Sequence, residues 1–146
     1  MAQGLAYDLH VLISLLDRSA DRILRAHFDI SYRRFLTLLT LADLGPATQR
    51  ALADRLGTSE PSVSRMTGVL AQEGLLTVSA HPEGGNRRRL ELTARGRQTV
   101  TSCAALLEEQ FAGLVSSSGV SYDDYAAQTR RMLELLSPER QEGMTG

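Results

Sequence analysis

Apolar residues recur every three or four positions near the start of the chain, a spacing that places them on one face of an α-helix. The first stripe is formed by Leu5, Leu9, Leu12, Leu16, Ala20 and Ile23. It predicts a long helix from Leu5 to His27. A second stripe is formed by Phe35, Leu38, Leu39 and Ala42. It predicts a helix from Ser31 to Leu44, which Gly45 and Pro46 end.

Two further stripes with the same spacing lie near the end of the chain. The earlier one is formed by Val100, Ala104, Leu107, Phe111 and Leu114, and the later one by Tyr122, Ala126, Thr129, Leu133 and Leu136. The serine-rich break at 116–118 separates them. Ser121 and Asp124 resemble a capping box that starts the last helix, and Pro138 and Gly143 predict a frayed tail.

The middle of the chain predicts two short helices joined by a tight turn. The first runs from Thr48 to Gly57, because Leu52, Ala53 and Leu56 have helical spacing and Gly57 suits a left-handed helix end. In the second, Ser59 is the expected N-cap, Glu60 suits the positive end of the helix dipole, and Pro61 fits the first turn. Gly74 ends it.

A hairpin is predicted to follow these two helices. Leu75 to Ser79 reads as a strand, the segment from His81 to Asn86 contains a proline and two glycines, and Arg87 to Thr93 returns as a second strand. Two helices about a tight turn, followed by a basic hairpin, form a winged helix-turn-helix that reads DNA. We therefore expect a mainly α fold with a small β-hairpin wing.

Charge is unevenly distributed, although the 146-residue chain has a net charge of only −1. The segment from Gly45 to Arg97 carries eight arginines against five acidic residues, a net charge of +3, which leaves −4 elsewhere. The positive excess therefore falls on the expected DNA reader. A hydrophobic content of 42% with only 5% aromatic residues agrees with one mainly helical core.

Several classes of protein are not expected. Cys103 is the single cysteine, which permits no internal disulfide, and no signal pattern or apolar run of the roughly 18 residues that span a bilayer is present. We therefore expect a cytoplasmic chain without membrane contact. His10, His27 and His81 lack metal-ligand spacing. We expect no enzyme activity, no cofactor and no metal.

The ordered motifs resemble those of the MarR (multiple-antibiotic-resistance regulator) family of bacterial transcription factors. They are I-S-Y-R-R-F-L-T-L-L-T-L, T-Q-R-A-L-A-D-R-L-G, S-E-P-S-V-S-R-M-T-G-V-L-A-Q-E-G-L-L and R-R-R-L-E-L-T-A-R-G. The resemblance implies a homodimer with two winged readers, usually a repressor that a small phenolic or other aromatic ligand releases. It departs in the wing: family members commonly carry Asp-Arg-Arg about eight residues before the Leu of the L-T pair, whereas Asn86-Arg87-Arg88 begins six residues before Leu92 and Gly84-Gly85 occupies the usual place. We therefore expect a shorter wing without the usual acid-to-arginine contact.

The reader helix is expected to divide into a packed face and a DNA-facing surface. With about 100° per residue and Val63 at the core, Met66, Thr67 and Leu70 should pack inward. The outward surface should then be short-chained apart from Arg65, which we expect to grip guanine or clamp a phosphate, with Ser62 and Ser64 donating hydrogen bonds. Gly68 has two explanations: close approach to DNA, or a close contact between helices.

Arg87, and with it Arg88, is expected to enter the minor groove, with Arg88 turning with the wing tip. Thr48 and Gln49 are expected to meet phosphate at the start of the first reader helix. The full expected DNA-binding set is Thr48, Gln49, Ser59, Pro61, Ser62, Ser64, Arg65, Gly68, Arg87 and Arg88. The resemblance also implies an effector pocket, for which Tyr32, Phe35 and Phe111 are the candidates; plain core packing is the alternative for Phe35 and Phe111.

The terminal helices have two interpretations: they pack on their own domain, or they interleave with a second copy. We favour the homodimer, because a two-fold pair brings two reader helices into successive major grooves of a pseudo-palindromic operator. Residues 1–30 and 94–146 would then form a helical dimerisation region around the DNA-binding region 31–93. The alternative function is a winged-helix protein-interaction module that does not bind DNA.

Overall fold

Six helices and three strands make up the part of the chain that the structure, a computed structural model, describes, residues 4–85 and 87–137. In order they are α1 (Leu5–Phe28), α2 (Tyr32–Leu44), β1 (Ala47–Thr48), α3 (Gln49–Leu56), α4 (Glu60–Gln72), β2 (Leu76–Ala80), β3 (Arg88–Leu92), α5 (Ala94–Ser117) and α6 (Tyr122–Leu136). The expected fold class is confirmed. Asn86 and the tail residues Pro138 and Gly143 lie outside the described residues.

Side-chain caps begin four of these helices. The hydroxyl oxygens of Ser31, Thr48, Ser59 and Ser121 accept hydrogen bonds from backbone N–H groups three residues later. Each cap satisfies one of the four N–H groups that a helix start leaves without a partner. The helix starts therefore lie within one residue of the positions that the sequence predicts.

Strand β1 is the element that the sequence does not predict. Ala47 pairs with Leu90 and Thr48 with Arg89, so β3 is the middle strand of a three-stranded antiparallel sheet in the order β1-β3-β2. A two-residue strand has no alternation to read, and its partner lies more than 40 residues away along the chain. The wing is thus joined to the start of the helix-turn-helix by backbone hydrogen bonds.

The chain divides into two compact units, Met1–Ala105 and Leu106–Gly146. The core of the first unit is aliphatic, and its fully buried leucines include Leu24, Leu38, Leu41, Leu52, Leu70 and Leu90. These come from α1, α2, α3, α4 and β3, so this core holds the helix-turn-helix, the wing and the end of α1 together. Burial of one such side chain contributes about 1.5–3 kcal/mol.

The buried face of α2 differs from the expected one. Phe35, Thr37, Leu38 and Leu41 are buried, whereas Leu39 is exposed, as is the predicted Ala42. Helix α2 contacts α1, α3, α4 and β3, so its buried arc is centred on Leu38 and Leu41. Thr37 can lie inside because its hydroxyl donates to the backbone oxygen of Arg33, at 3.0 Å.

The base of the wing is locked to the start of α5. The Thr93 N–H donates to the Leu75 oxygen (3.1 Å), and the Thr93 hydroxyl donates to the Gly74 oxygen (2.7 Å) while accepting from the Gly96 N–H (3.0 Å). A Cβ added at Gly96 would collide with the backbone carbonyl of Leu75. Only glycine therefore allows this close approach of α5 to the strand.

In the second unit, the end of α5 and helix α6 contact each other through aromatic side chains. The ring centroids of Phe111 and Tyr125 are 6.3 Å apart, and the Tyr122 hydroxyl donates to the Glu108 carboxylate. Gly119, with φ of 79°, makes the turn between the two helices. Across the described residues, no helix combines the length and the apolar character that crossing a membrane would require.

Asp21 joins α1 to α2. Its carboxylate accepts from the Tyr32 backbone N–H (2.9 Å) and from Arg25 Nε (2.8 Å). The hydrogen bond from Tyr32, followed by that from Arg25, holds the pKa of Asp21 below its ordinary value of 3.8. The charged carboxylate therefore stabilises the folded state above that pH, and this contribution is lost as the pH falls through the folded-state pKa.

We expect Asp21→Asn to lower the melting temperature at neutral pH, because the amide keeps the bond from Tyr32 but loses the charge that attracts Arg25. The difference from the wild type should shrink as the pH falls through the lowered pKa of Asp21, where the carboxylate itself becomes protonated. Circular dichroism melts over a pH series measure this. Asp17→Asn, one turn earlier on the same helix, is the control, and a difference that stays constant down to the most acidic pH would contradict the assignment.

Candidate nucleic-acid interface

A short turn joins α3 to α4 and fixes the angle between them. Gly57 adopts a left-handed conformation with φ of 65°, and the Thr58 N–H donates to the Ala53 oxygen at 3.1 Å. Ser59 then caps α4, and Pro61 lies in its first turn. Glycine is suited to this φ, and proline loses nothing in a first turn, where its missing N–H would have no helical partner.

Helix α4 has the two faces that its sequence predicts. Val63, Thr67 and Leu70 are buried and Met66 is half-buried. Pro61, Ser64, Arg65 and Gly68 are exposed, with Ser62 half-buried at the flank. The buried Thr67 hydroxyl donates to the Val63 oxygen at 2.9 Å, which makes it compatible with the core. The outward surface therefore carries short side chains and a single guanidinium group.

Hydrogen bonds connect Ser59, Ser62 and Arg65 along that surface. The Ser59 hydroxyl donates to Ser62 Oγ at 3.0 Å, and Arg65 Nη2 donates to the same oxygen at 3.3 Å. A hydroxyl oxygen accepts two hydrogen bonds and donates one. Because both acceptor positions of Ser62 are used, its own hydrogen is left to donate to a group outside the helix.

Gly68 lies in the middle of α4 with open space beside it. Apart from its chain neighbours and the backbone of its own helix, no atom of the described residues lies within 4 Å of the position that a Cβ would occupy there. A close contact with another helix of the same chain therefore does not account for this glycine. Glycine in a helix interior lowers helix stability by about 1 kcal/mol relative to alanine, and no packing contact in the described residues explains its presence here.

The wing is a regular hairpin in which Leu90 and Leu92 are buried, as strand alternation predicts. Arg87 is exposed beside the tip. Arg88 does not turn with the tip as expected: it is the first residue of β3 and pairs with Ala80. The reason is that the ladder continues one pair further than the alternation of leucines shows.

Glu83, near the wing tip, pairs with Arg87. Arg87 Nη1 lies 3.5 Å from Glu83 Oε2, so a glutamate four residues earlier pairs with the arginine. His81 orders the same turn. Its side-chain Nδ1 accepts from the Glu83 backbone N–H (3.2 Å), and its backbone N–H donates to the Arg87 backbone oxygen (3.1 Å). Glu83 therefore gives Arg87 an acidic partner from a position other than that of the family's usual acid.

Thr48 and Gln49 lie at the start of α3, as predicted. Thr48 Oγ1 accepts from the Ala51 N–H at 3.1 Å, and the residue also pairs with Arg89 in the sheet. Both side chains are half-buried. The cap uses the Thr48 oxygen as an acceptor, so the hydroxyl hydrogen remains available to an anion in front of the helix.

The structure brings two arginines that sequence reasoning missed next to α4. Arg33 and Arg34, at the start of α2, line a concavity of ≈ 310 Å³ together with Ser62, Arg65, Met66 and Val69. Arg34 Nη1 is paired with Glu73 Oε1 at 2.9 Å. The arginine pair is visible in the sequence, but its nearness to α4 depends on tertiary packing that no local pattern reveals.

The candidate effector residues lie in both units of the chain. Tyr32 and Phe35 are together in the first unit, with ring centroids 6.2 Å apart. Phe35 is buried, at 3% exposure, whereas Tyr32 is half-buried. Burial, followed by the charge of Asp17, raises the pKa of the Tyr32 phenol. Phe111 belongs to the second unit, where it contacts Tyr125. Effector binding by these residues stays a prediction.

Comparison with known proteins points to one family. The family model of the MarR family matches residues 30–89, which covers α2, α3, α4, β2 and the start of β3. No curated protein matches the chain.

Solved structures share the fold over nearly the whole chain. Wild-type MarR from E. coli, in its apo form, is 19% identical and superposes with a TM-score of 0.79, covering 94% of this chain and 99% of that one. MepR from S. aureus in complex with DNA is 22% identical, with a TM-score of 0.73 and coverage of 93% and 98%. At these identities the likeness shows the fold. Residues 30–89 thus match the MarR family model, and the chain as a whole has the winged helix-turn-helix fold of the MarR and MepR structures.

Proposed function

We propose that this chain is a dimeric, sequence-specific DNA-binding repressor. The observation that carries the proposal is the outward surface of α4, where one guanidinium group, held by Ser62, stands among short side chains. Such a surface lets a helix lie deep in a major groove and read a base with one long side chain. The DNA complex of the similarly folded MepR supports the same use of the fold.

Five residues on the outer side of α4 have a role in this proposal. Arg65 binds guanine O6 and N7 with its forked donors, or clamps a phosphate. Ser62 acts as a hydrogen-bond donor, since its oxygen already accepts from Ser59 and Arg65. Ser64 donates to a base edge or a phosphate, and Pro61 and Gly68 keep the surface low enough for close approach.

The other contacts flank the reader helix. Arg87 lies beside the wing tip and Arg88 is the first residue of β3. In this proposal their guanidinium groups enter a narrow minor groove. The Glu83 partner of Arg87 is itself exposed, and exposed ion pairs contribute only about 0–1 kcal/mol, so a phosphate can replace it. Thr48, Gln49 and Ser59, at helix starts, contribute phosphate contacts.

The dimer part of the proposal rests on apolar side chains that a single chain leaves exposed. On α1, Leu5, Ile13 and Leu15 are more than half exposed, and so are Leu133 and Leu136 on α6. Exposed apolar surface on this scale marks an interaction site. Residues 1–30 and 94–146 would supply the two-fold interface, and residues 31–93 would bind successive major grooves of a pseudo-palindromic operator. The dimer would act in the cytoplasm, where that operator lies.

The regulatory part of the proposal is release of DNA by a small aromatic ligand. Tyr32 is its best-supported element, because a half-buried phenol offers a hydrogen bond and a stacking face beside the Phe35 ring. Phe111 is the remaining candidate, in the second unit.

The central test uses a duplex that the wild-type protein selects from a random pool. Arg65→Ala should weaken binding by about 1–3 kcal/mol and relax the preference at one base position in each half-site. Arg55→Ala is the matched control, because Arg55, at the end of α3, is paired with Asp43 of α2. Fluorescence anisotropy with single-base variants of the duplex measures both effects. A folded wild-type protein that selects no duplex would instead favour the protein-interaction module.

Gly68→Ala should separate stability from DNA affinity. The open space beside Gly68 accepts a methyl group, so the variant should gain up to about 1 kcal/mol in the free energy of unfolding. The same methyl group would meet DNA, so operator affinity should fall. Denaturant unfolding and anisotropy measure the two quantities, with Gly113→Ala, another helical glycine beside open space, as the control. A variant that is more stable and binds DNA equally well would contradict close approach at this position.

A thermal-shift screen of aromatic carboxylic acids and phenols tests the effector proposal. At least one compound should raise the melting temperature of the wild type and lower its DNA affinity, because a ligand that binds the folded state stabilises it. Tyr32→Phe should weaken that shift, since it removes the hydroxyl and keeps the ring. A set of compounds that leaves the melting temperature unchanged would count against an aromatic effector.

A further inference from the structure

A cleft between the start of α2 and the middle of α4 adjoins the reader surface. Its lining residues are Arg33, Arg34, Ser62, Arg65, Met66 and Val69. We propose that this α2–α4 cleft receives a backbone phosphate of bound DNA and that Arg33 is the residue that holds it. The inference rests on the proposed DNA binding and adds a contact from α2, outside the reader helix and the wing.

The three arginines of the cleft differ in what already binds them. Arg34 is paired with Glu73, at 2.9 Å. Arg65 donates to Ser62, at 3.3 Å. Arg33 is exposed, and within residues 4–85 and 87–137 no carboxylate lies within 4 Å of its guanidinium group. Arg34 is therefore the cleft arginine whose charge an acidic residue offsets, while Arg65 is engaged by Ser62, so Arg33 is the one that neither an acidic residue of the described chain nor Ser62 holds.

The shape of the cleft suits a sugar-phosphate backbone. Met66 and Val69 give it an apolar wall, and Ser62 adds a hydroxyl whose hydrogen is left to donate. Arg33 also lines a second concavity of ≈ 300 Å³ that continues along α4 past Ser62 to the α3–α4 turn. A guanidinium group binds the oxygens of a phosphate with two parallel donors, which a compact anion site of this kind allows.

The position of the cleft favours DNA as the source of the phosphate. Ser62 and Arg65 belong both to the cleft and to the outward surface of α4. When a helix lies in a major groove, the sugar-phosphate backbone at the groove's edge passes along its flank. A phosphate bound by Arg33 would thus fix how far α4 is rotated in the groove, while Arg65 reads the base.

The test compares Arg33→Ala with Arg34→Ala on the duplex selected by the wild type, over a series of salt concentrations. Arg33→Ala should reduce the slope of log affinity against log salt by about 0.9, the value for one lost phosphate contact. Arg34→Ala should leave the slope unchanged, because its pair with Glu73 (2.9 Å) is closer and less exposed than the pair of Arg87 with Glu83 (3.5 Å), which a phosphate can replace. Arg33→Lys should keep the slope, since a lysine retains the charge. Arg87→Ala is the positive control for a lost backbone contact.

Methylphosphonate substitution locates the contact. Replacing one backbone phosphate at a time with an uncharged methylphosphonate should reveal one position per half-site that weakens wild-type binding but not binding by Arg33→Ala. Thermal shift with inorganic phosphate, in the absence of DNA, separates the other source. An Arg33-dependent shift together with an unchanged salt slope would assign the cleft to a free anion and overturn the DNA assignment.

Failure of the inference differs from failure of the proposed function. If Arg65→Ala weakens binding while Arg33→Ala keeps the wild-type slope and the wild-type methylphosphonate pattern, the cleft is not a DNA contact although the protein binds DNA. If the folded wild type binds no duplex, both proposals are overturned. Because Arg33 is exposed at the first turn of α2, its replacement should leave the circular dichroism spectrum and melting temperature close to those of the wild type.

Discussion

The rotation of α4 about its own axis is the constraint on which the interface depends. Val63, Thr67 and Leu70 are buried together, and turning the helix by one residue would expose one of them and bury Ser64 or Gly68. The burial of these three side chains thus determines that Pro61, Ser64, Arg65 and Gly68 face outward. The polar chemistry of Ser62 and Arg65 is in this sense a product of apolar packing beneath them.

Much of the fold could be predicted from local patterns, because local chemistry determines it. Capping residues such as Ser59 act within one turn, and strand alternation fixes Leu90 and Leu92 inward. The features that local patterns did not predict depend on residues far away along the chain. β1 exists only because Ala47 and Thr48 meet β3, and Leu39 is exposed because the neighbours of α2 lie on its other sides.

The candidate site shows the same division. The outward residues of α4 follow from helical geometry alone, once Val63 is placed inside. Arg87 and Glu83 pair across a turn at a spacing of four residues, whereas the family resemblance directs attention to the position of Asn86. The nearness of Arg33 to Ser62 could not be read at all, because 29 positions separate them and only the packing of α2 on α4 joins them.

The close approach of Gly96 to Leu75 has a mechanical consequence. At Gly96 the backbone of the first turn of α5 meets the backbone carbonyl of Leu75 directly, and the Thr93 hydroxyl ties Gly74 to Gly96 beside it. Where backbone packs directly on backbone, no side-chain rotamer can change to absorb a displacement. A tilt of the first turn of α5 must therefore move the hairpin with it, because Gly96 couples the two rigidly. The resulting displacement is largest at the wing tip, which lies farthest from Gly96.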